Sequence, residues 1–326
     1  VRGLQNSFSE HYGVKNSLAF NSATTALHAA AMVIGLNPGD EVIVSPYTMS
    51  ASSTSILFAG GVPIFADIES DTFGLDPQSV EANITERTRA IITVNIFGHP
   101  SRLLKLREIA DRHGLMLIED NAQAPDGLCD SRFTGTIGDM GIFSLNRHKV
   151  MQVGEGGLLI TDNDDFALKA ALVRNHGESV AAAMELEDIT GTIGLNYRMT
   201  ELEAALASEQ LKKLNQMNAE RIERADRLSA GLIEIPGITP PKVEEGCRHV
   251  YYMYAMKYDA SVTGIPRRLF VEAIMAEGFF ARAGYLRPTY MEPVYRQKLA
   301  FGSAGYPFSA SPRGDALRYG PGLCPV

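Results

Sequence analysis

The sequence contains no tryptophan and only three cysteines among its 326 residues. The cysteines, Cys129, Cys247 and Cys324, are widely spaced, odd in number and without the spacing of metal ligands. This usage argues against a disulfide framework or a zinc site and is typical of thiols in a reducing cytosol. It predicts a cytoplasmic protein.

Long apolar runs and an excess of positive charge are also missing. The longest apolar stretch, near residues 26–36, is well short of the ~18 residues that a membrane span needs, and no signal peptide is visible. The net charge of −8 argues against nucleic acid or an anionic membrane as the main partner. The chain begins at Val1 without a methionine and stops at Val326 without a closing element, so we expect that both ends of the natural protein are missing.

The composition is otherwise that of a globular chain, 45% hydrophobic and 21% charged, and long enough for two domains. Short apolar runs bounded by turn formers predict buried strands at Glu41–Pro46, Val62–Asp67, Ala90–Phe97, Leu115–Asp120, Met140–Leu145 and Gly157–Thr161. Helical patterns alternate with them at Thr24–Ile34, Ser50–Ala59, Pro77–Asn83 and Leu103–His113. Strands and helices alternating at this spacing predict an α/β fold, with a mostly parallel sheet covered by helices on both faces.

The pattern changes after this region. Apolar residues at helical spacing over 200–233 predict a long amphipathic helix, or two in succession. Prolines and glycines then predict a domain boundary near residue 235, which gives a large domain over 1–235 and a smaller α+β domain over 236–326. The smaller domain is predicted to contain a strand and a helix, at His249–Met256 and near Arg267–Glu277.

Three features in a fixed order carry chemistry. Residues 21–25 place small and hydroxylic side chains directly before a helix, where free N–H groups and a positive dipole end suit a phosphate, although a plain N-cap is an alternative. Asp120 ends an apolar strand, where ligands bind in open parallel sheets, and its carboxylate either pairs with a cationic ring nitrogen or caps the next turn. Ser144 ends the following strand and can reach a phosphate, and Lys149 follows in a polar turn before the glycines of 154–157.

Lys149 taken alone could be an ordinary surface lysine. The flanking cations Arg147 and His148, with any desolvation, would lower its pKa toward a reactive neutral amine. Pyridoxal 5′-phosphate (PLP) needs all of these parts: amides and hydroxyls for its phosphate, a carboxylate for its ring nitrogen and a lysine for its aldehyde. The three features together therefore predict a PLP enzyme in which Lys149 holds the cofactor.

The sequence resembles the DegT/StrS family of sugar aminotransferases, which have the fold-type I fold of PLP-dependent transferases. The matching stretches extend over nearly the whole chain: Ser22–Leu27, Pro38–Val44, Glu119–Ala124, Phe143–Gly157, Asn175–Gly177 and Asn196–Met199. The resemblance implies a seven-stranded, mostly parallel sheet, a smaller C-terminal domain and a homodimer with shared active sites. The sequence departs from the family at Ala23, where glycine is usual and alanine is mild unless φ is positive, and at Met49, where an aromatic ring usually stacks on PLP.

The resemblance also implies roles for individual residues. Lys149 would be the Schiff-base lysine and proton shuttle, and Asp120 would pair with the pyridine nitrogen. Gln123 would lie close to the ring, and Met49 would stack on it more weakly than an aromatic residue, with a place in the core as the alternative. The phosphate would be held by Ala23, Thr24 and Ser144, and by Asn196 reaching across from the partner subunit.

These roles imply a PLP-dependent aminotransferase of amino-sugar biosynthesis, which moves an amino group from glutamate or glutamine to a nucleotide-linked keto-sugar through pyridoxamine 5′-phosphate. Arg282, Tyr285 and Arg287 are candidate substrate contacts, with solvated surface as the alternative. Other possible functions are amination of a cyclitol ketone, sugar dehydration by a family member with histidine in place of the lysine, and a regulatory or binding role. A nicotinamide-dependent oxidoreductase is disfavoured because no strand–GxGxxG–helix fingerprint lies near the N-terminus.

Overall fold

The computed structural model describes residues 1–177 and 193–326. Its strands are β1 Asn16–Phe20, β2 Glu41–Val44, β3 Val62–Phe65, β4 Thr88–Val94, β5 Met116–Asp120, β6 Leu128–Cys129, β7 Arg132–Phe133, β8 Met140–Ser144, β9 Gly157–Thr161, β10 Ile238–Thr239, β11 Cys247–Arg248 and β12 Lys257–Tyr258. Its α-helices are α1 Arg2–Tyr12, α2 Ala23–Ile34, α3 Ala51–Phe58, α4 Pro77–Asn83, α5 Leu103–His113, α6 Asp164–Arg174, α7 Glu201–Leu211, α8 Leu214–Leu232, α9 Ala260–Thr263, α10 Arg267–Ala276 and α11 Pro293–Arg296.

The main sheet has seven strands in the order β1-β9-β8-β5-β4-β2-β3. Strands β3, β2, β4, β5 and β8 run parallel to one another, and β9 runs antiparallel to both β8 and β1. This arrangement confirms the α/β fold with a mostly parallel seven-stranded sheet. Strand β1 was not among the strands predicted from apolar runs, because its sequence begins with Asn16 and Ser17 and has only three apolar residues.

Both faces of the sheet are buried, as the side chains of β9 show. Leu159 packs into a large apolar cluster with Leu27 of α2 and Leu106 of α5. Its neighbours Leu158 and Ile160 pack into a second cluster, which α1 and α7 cover. Alternate residues of a strand face opposite sides, so the two clusters lie on opposite faces. Burying each such leucine or isoleucine stabilises the fold by about 1.5–3 kcal/mol.

The helical pattern after residue 200 forms two helices, α7 and α8, which is the second of the two predicted alternatives. Thr200 begins α7 with a capping box. The backbone N–H of Glu203 donates to Thr200 Oγ1 at 3.3 Å, and the Thr200 N–H donates to the Glu203 carboxylate at 3.0 Å. No helix within 1–177 or 193–326 is both long and apolar enough to cross a membrane.

The strand predicted at His249–Met256 is wrong. Only the preceding residues, 247–248, form a strand, which pairs with β6. The chain then turns: the Val250 N–H donates to the Gly98 carbonyl at 2.9 Å, and Tyr251 has a φ of 49°. The aromatic residues of this segment favour a strand, but a left-handed residue in its middle cannot continue an extended chain.

The elements after α8 are short, and α10 confirms the helix predicted near residues 267–277. Strands β10 and β12 pair with each other. Beyond them, four buried side chains pack into the larger cluster beside the main sheet: Tyr290, Tyr295, Phe308 and Leu317. The division of the chain at residue 235 stays a prediction.

Candidate active site

The carboxyl ends of the parallel strands meet at one edge of the main sheet. Strand β5 ends at Asp120 and its neighbour β8 ends at Ser144. On the other side of β5, Asp120 is in register with Val94, the last residue of β4. Ligands bind at this edge in open α/β sheets, so the fold brings Asp120 and Ser144 to the place where a site is expected.

Asp120 is 4% exposed and is held by two hydrogen bonds. Its Oδ2 accepts a 2.7 Å hydrogen bond from the Ser52 hydroxyl on α3, and its Oδ1 accepts one of 3.2 Å from the Ala122 N–H. Burial raises the pKa of Asp120, whereas the Ser52 hydrogen bond and the charge of Lys149 act to lower it. A cation placed against this carboxylate would stabilise its charged form.

Lys149 lies in the loop between β8 and β9, where its backbone N–H donates to the Asn146 carbonyl at 2.8 Å. Its Nζ lies 4.7 Å from the centre of the Tyr252 ring. Burial lowers the pKa of Lys149, and the negative charge of Asp120 opposes that change. A lowered pKa increases the fraction of neutral amine, which is the form that reacts with a carbonyl group.

The cations beside Lys149 do not have the expected effect. Arg147 and His148 are both exposed, and Arg147 Nε donates to His148 Nε2 at 3.2 Å. Their polar groups lie in solvent, which screens charge. Burial therefore lowers the pKa of Lys149, and the flanking cations do not.

The start of α2 lies against the last residue of β8 and the first residue of β9. The Ser22 side chain caps the helix. Gly157 pairs with Ser144 in the sheet, and a Cβ at Gly157 would collide with the backbone nitrogen of Ala23. The first helical turn is thus in close contact with the strand pair that carries Ser144. The N–H groups of Ala23 and Thr24 have no partners within the helix, and with the Ser144 hydroxyl they form a set of donors for an anion.

Asn196 is at the same end of α2. Its carbonyl accepts a 3.5 Å hydrogen bond from Asn21 Nδ2, and its backbone forms an isolated bridge with Asn175. The residue is exposed. In the single chain, its side chain therefore lies at the surface beside the donors of the first helical turn.

Gln123 connects the sheet edge to the later part of the chain. Its Oε1 accepts a 2.7 Å hydrogen bond from the Phe97 N–H, and its Nε2 donates to the Tyr285 hydroxyl at 3.0 Å. The Tyr285 ring packs edge-on against Phe97 and Tyr47, with centroids 5.2 and 5.8 Å away. Burial raises the pKa of Tyr285 to about 12, so its hydroxyl stays protonated. Tyr285 is therefore joined to the candidate site through Gln123.

The other predicted contacts are at the surface. Met49 is 57% exposed, so its alternative placement in the core is wrong. Arg282 and Arg287 are also exposed. The positive charge of Arg282 acts on the nearby Tyr47, where burial nonetheless raises the pKa of that phenol. Arg282 is therefore near Tyr47, whose ring packs against Tyr285, and its position in the sequence did not indicate this.

Three residues of this site were not predicted from the sequence: Ser52, Tyr252 and Tyr47. Ser52 is one of several serines in α3, and its bond to Asp120 joins positions 68 residues apart. Tyr252 approaches Lys149 only because the chain turns at Tyr251. A buried carboxylate needs donors, so a search for hydroxyl groups on the helices around β5 could have found Ser52. No comparable signal marked the two tyrosines.

The donors and charges at this edge fit PLP. The buried Asp120 carboxylate suits a protonated ring nitrogen, the Lys149 amine suits an aldehyde, and the first turn of α2 with Ser144 suits a phosphate. Within the residues that the structure describes, Lys149 Nζ makes no salt bridge that would occupy it.

Comparison with known proteins identifies the family. The model of the DegT/DnrJ/EryC1/StrS aminotransferase family matches residues 1–315. The chain belongs to this family. It is therefore an aminotransferase that uses PLP, and the family resemblance is confirmed.

Curated relatives and a solved structure match most of the chain. GDP-perosamine synthase of Caulobacter vibrioides is 35% identical over 255 residues, which cover 78% of this chain and 68% of that protein. The L-glutamine:scyllo-inosose aminotransferase of Streptomyces griseus is 36% identical over 288 residues, or 86% of this chain and 68% of that protein. The crystal structure of S. venezuelae DesV with a ketimine intermediate has a TM-score of 0.83 at 30% identity, over 93% of this chain and 79% of DesV.

Proposed function

We propose that this aminotransferase moves an amino group from glutamate or glutamine to the ketone of a nucleotide-linked sugar, as a step of amino-sugar biosynthesis. The observation that carries the proposal is that a buried carboxylate, Asp120, and a partly buried amine, Lys149, lie near each other at the sheet edge where α2 begins. The similarity to GDP-perosamine synthase supports a sugar acceptor, and the similarity to a glutamine-dependent enzyme supports glutamine as donor.

Five side chains and amides would hold the cofactor. PLP, when bound, supplies an aldehyde that takes up the amino group and a ring that accepts electrons from the carbon losing its proton. Lys149 would bind at the aldehyde, and Asp120 would keep a proton on the ring nitrogen. The N–H groups of Ala23 and Thr24 and the Ser144 hydroxyl would bind the phosphate, where the dipole of α2 favours negative charge.

Lys149 also moves the proton that the reaction requires. Its Nζ takes a proton from the α-carbon of the donor and later returns one to the acceptor carbon. A positioned acid–base group of this kind contributes about 10²–10⁴-fold to rate. The lowered pKa of Lys149 suits this task, because the neutral amine is the base. Gln123, fixed by Phe97 and Tyr285, would lie beside the ring, and the exposed Met49 would pack on its open face.

The acceptor would be recognised at the exposed mouth of the site. Arg282 can bind a diphosphate through its planar guanidinium group, and the Tyr285 hydroxyl, which accepts a hydrogen bond from Gln123, is a second candidate contact. Arg287 is a further exposed cation on the same loop. A cyclitol ketone is the second candidate acceptor, and the similarity to a scyllo-inosose aminotransferase favours it. A cyclitol carries no diphosphate, so it would not need Arg282.

The dehydratase alternative requires histidine at the position of the cofactor lysine. Here the candidate histidine, His148, is exposed and bonded to Arg147, whereas Lys149 is partly buried above the Tyr252 ring. This difference favours amino transfer. A purely regulatory or binding role is disfavoured because the full set of cofactor-binding groups is present.

We also propose that the protein is a cytoplasmic homodimer with shared active sites. Apolar side chains around the start of α7 are left exposed, with Leu202 at 81%, Leu206 at 56% and Ile193 at 73%, and exposed apolar patches mark protein interfaces. Asn196 lies beside them and would bind the phosphate held by the partner subunit. The three widely spaced cysteines, odd in number, are typical of a reducing compartment.

The proposal is tested by changing Lys149 to alanine and to arginine. Borohydride reduction of the PLP-loaded protein should attach the cofactor to the peptide that contains Lys149, as peptide mass spectrometry would show. We expect both variants to lose this attachment and at least ~10²-fold of activity, while Lys169→Ala, on the exposed side of α6, changes neither. A wild-type protein that carries the cofactor on another residue would contradict the assignment.

The amino donor and acceptor are tested separately with the wild-type enzyme. Each donor is supplied alone, and the keto acid that it releases is measured in a single turnover. The aminated enzyme is then offered nucleotide-linked keto-sugars and inosose ketones. We expect turnover with a nucleotide sugar and a higher KM for it in Arg282→Ala. Turnover with inosose ketones alone, unaffected by Arg282→Ala, would favour the second candidate.

A further inference from the structure

Two of the three cysteines face each other across a pair of short strands. Cys129 ends β6 and Cys247 begins β11, and the two are direct partners in this antiparallel pair. They are far apart in the chain but next to each other in the small sheet β11-β6-β7. None of the residues assigned to the cofactor belongs to this small sheet.

The backbone hydrogen bonds around Cys129 and Cys247 show whether the two residues are a hydrogen-bonded or a non-hydrogen-bonded pair. The Asp130 N–H donates to the Gly246 carbonyl at 2.9 Å, one residue beyond the cysteine pair, and the Cys247 N–H donates elsewhere, to the Glu244 carbonyl at 3.0 Å. This is the pattern of a non-hydrogen-bonded pair, in which the Cα atoms lie about 4.5 Å apart and the side chains are closest. Disulfides span Cα distances of about 4.4–6.8 Å, so the backbone already suits a bond between the two sulfurs.

The local backbone fixes this arrangement. Asp130 and Ser131 have φ of 45° and 64° and make the tight turn between β6 and β7. Gly246 has φ of 75°, and a Cβ there would collide with the Asp130 side chain. The close approach of Gly246 to Asp130 thus holds the start of β11 against the end of β6, so little movement is needed for Cys129 to reach Cys247.

The thiols also differ in access and in acidity. Cys129 is 7% exposed and packs with Leu103 and Ile137, whereas Cys247 is only partly buried at the edge of that cluster. A hydrogen bond from the Cys247 thiol lowers the pKa of Cys129 and raises that of Cys247. The pair thus contains one buried thiol of lowered pKa and one accessible sulfur.

We propose that Cys129 and Cys247 are a reversible oxidation site that forms a disulfide with small-molecule disulfides such as oxidised glutathione. One protein thiolate attacks a sulfur of the small disulfide, whose S–S bond breaks and releases one thiol. The second protein thiolate then attacks the mixed disulfide and releases the second thiol. The protein loses two protons and two electrons, and the small disulfide is reduced to two thiols.

The bond would restrain the chain on both sides of the site. It ties β11, which leads directly into the turn that carries Tyr252 to Lys149, to the hairpin that follows β5. A crosslink between residues so distant in sequence limits the unfolded chain. We therefore expect the oxidised protein to unfold at a temperature several degrees higher than the reduced one.

The test uses the full-length, PLP-loaded protein incubated with oxidised glutathione under native conditions. We expect the wild type and Cys324→Ser to lose two thiols and the mass of two hydrogen atoms, with one crosslinked peptide that joins Cys129 to Cys247. Cys129→Ser should instead keep a glutathione bound to the accessible Cys247, whereas Cys247→Ser should leave the buried Cys129 as a thiol. Dithiothreitol should restore the thiols and remove the rise in unfolding temperature.

The wild-type peptide map decides the question even if a variant folds poorly. A stable glutathione adduct on the wild type, a crosslink that involves Cys324, or a crosslink between chains would overturn the proposal. An intramolecular bond without any rise in unfolding temperature would overturn the inferred restraint. None of these readouts depends on catalysis, so failure here is distinct from failure of the Lys149 assignment.

Discussion

The hydroxyl of Ser52 is the side-chain donor to the carboxylate assigned to the cofactor ring. Its 2.7 Å hydrogen bond to Asp120 favours the charged form against the effect of burial, which raises the pKa of that carboxyl. Ser52 also bonds to Thr48 at 3.0 Å, so its position is fixed. We infer that Ser52 is a positioning residue that keeps Asp120 ionised.

Replacing Ser52 with alanine should therefore shift the pH profile of the enzyme. Loss of a hydrogen bond to the charged form raises the pKa of Asp120 further, and the ionised carboxylate is the active form. The acid limb of kcat/KM for the amino donor should move to higher pH, measured in one buffer series for both proteins. The free energy of unfolding should also fall by about 1.5–3 kcal/mol, the worth of a hydrogen bond to a charged group.

The matched control is Ser55→Ala on the same helix. Ser55 is equally buried, but its hydroxyl donates to the Ser52 carbonyl at 3.1 Å and not to a carboxylate. It should lower stability by about 1 kcal/mol and leave the pH profile in place. Equal shifts of the profile in both variants would mean that the serines act only through stability.

Among the site residues, those whose position follows from the order of strands and loops were predicted from the sequence. Asp120 and Ser144 end apolar strands, and Lys149 follows in the next loop, so their order alone indicated a site. Ser52 and Tyr252 were not predictable, because each reaches the site through contacts between distant segments. The effect of Arg147 and His148 on Lys149 was predicted wrongly, because adjacency in sequence does not give the direction of a side chain.

Among the elements, the contact between α2 and β9 sets the shape of the proposed phosphate site. Gly157 begins β9 against the first turn of α2, and there is no room there for a Cβ beside Ala23 and Ser22. Ala23 itself does not have a positive φ, so alanine in place of the family's glycine is accommodated. The glycine that matters for this contact is on the strand and not on the helix.

Changing Gly157 to alanine should separate these two elements. The added methyl group displaces the start of α2, at a cost of about 1–3 kcal/mol of unfolding free energy, and weakens PLP binding by about ten-fold or more. Urea unfolding and equilibrium dialysis would measure the two effects. Gly231→Ala in α8 is the control, since nothing lies within 4 Å of its Cβ position. If the two variants bind PLP equally well, α2 does not contribute to the phosphate site.

Elements were predicted well where composition and packing agree. The six predicted strands are short, apolar and buried in the sheet, so hydrophobic patterning alone locates them. Strand β1 pairs with β9, which is distant in the sequence. Its first two residues are polar, so it does not form the apolar run by which the other strands were recognised. The segment at residues 249–256 shows the opposite error, because its strand-like composition is overridden by contacts with the turn at residues 96–98.

For the whole molecule, the remaining question is whether one chain completes an active site. The groups assigned to the phosphate include Asn196, yet this residue is exposed beside uncovered apolar side chains of α7. In a twofold dimer, each chain offers the same surface to its partner. If the active sites are shared in this way, two different defective chains can complement each other in a mixed dimer, whereas sites built from one chain alone cannot.

Two variants that are each inactive should restore activity when they are expressed together. Lys149→Ala removes the cofactor lysine, and Asn196→Asp places a negative charge beside the partner's phosphate. In a mixed dimer, one site receives both defects and the other receives neither. Random pairing should therefore recover about a quarter of wild-type activity, measured on purified dimers against each variant alone. If mixing restores nothing although mixed dimers form, Asn196 belongs to the site of its own chain, because both sites of the mixed dimer would then be defective.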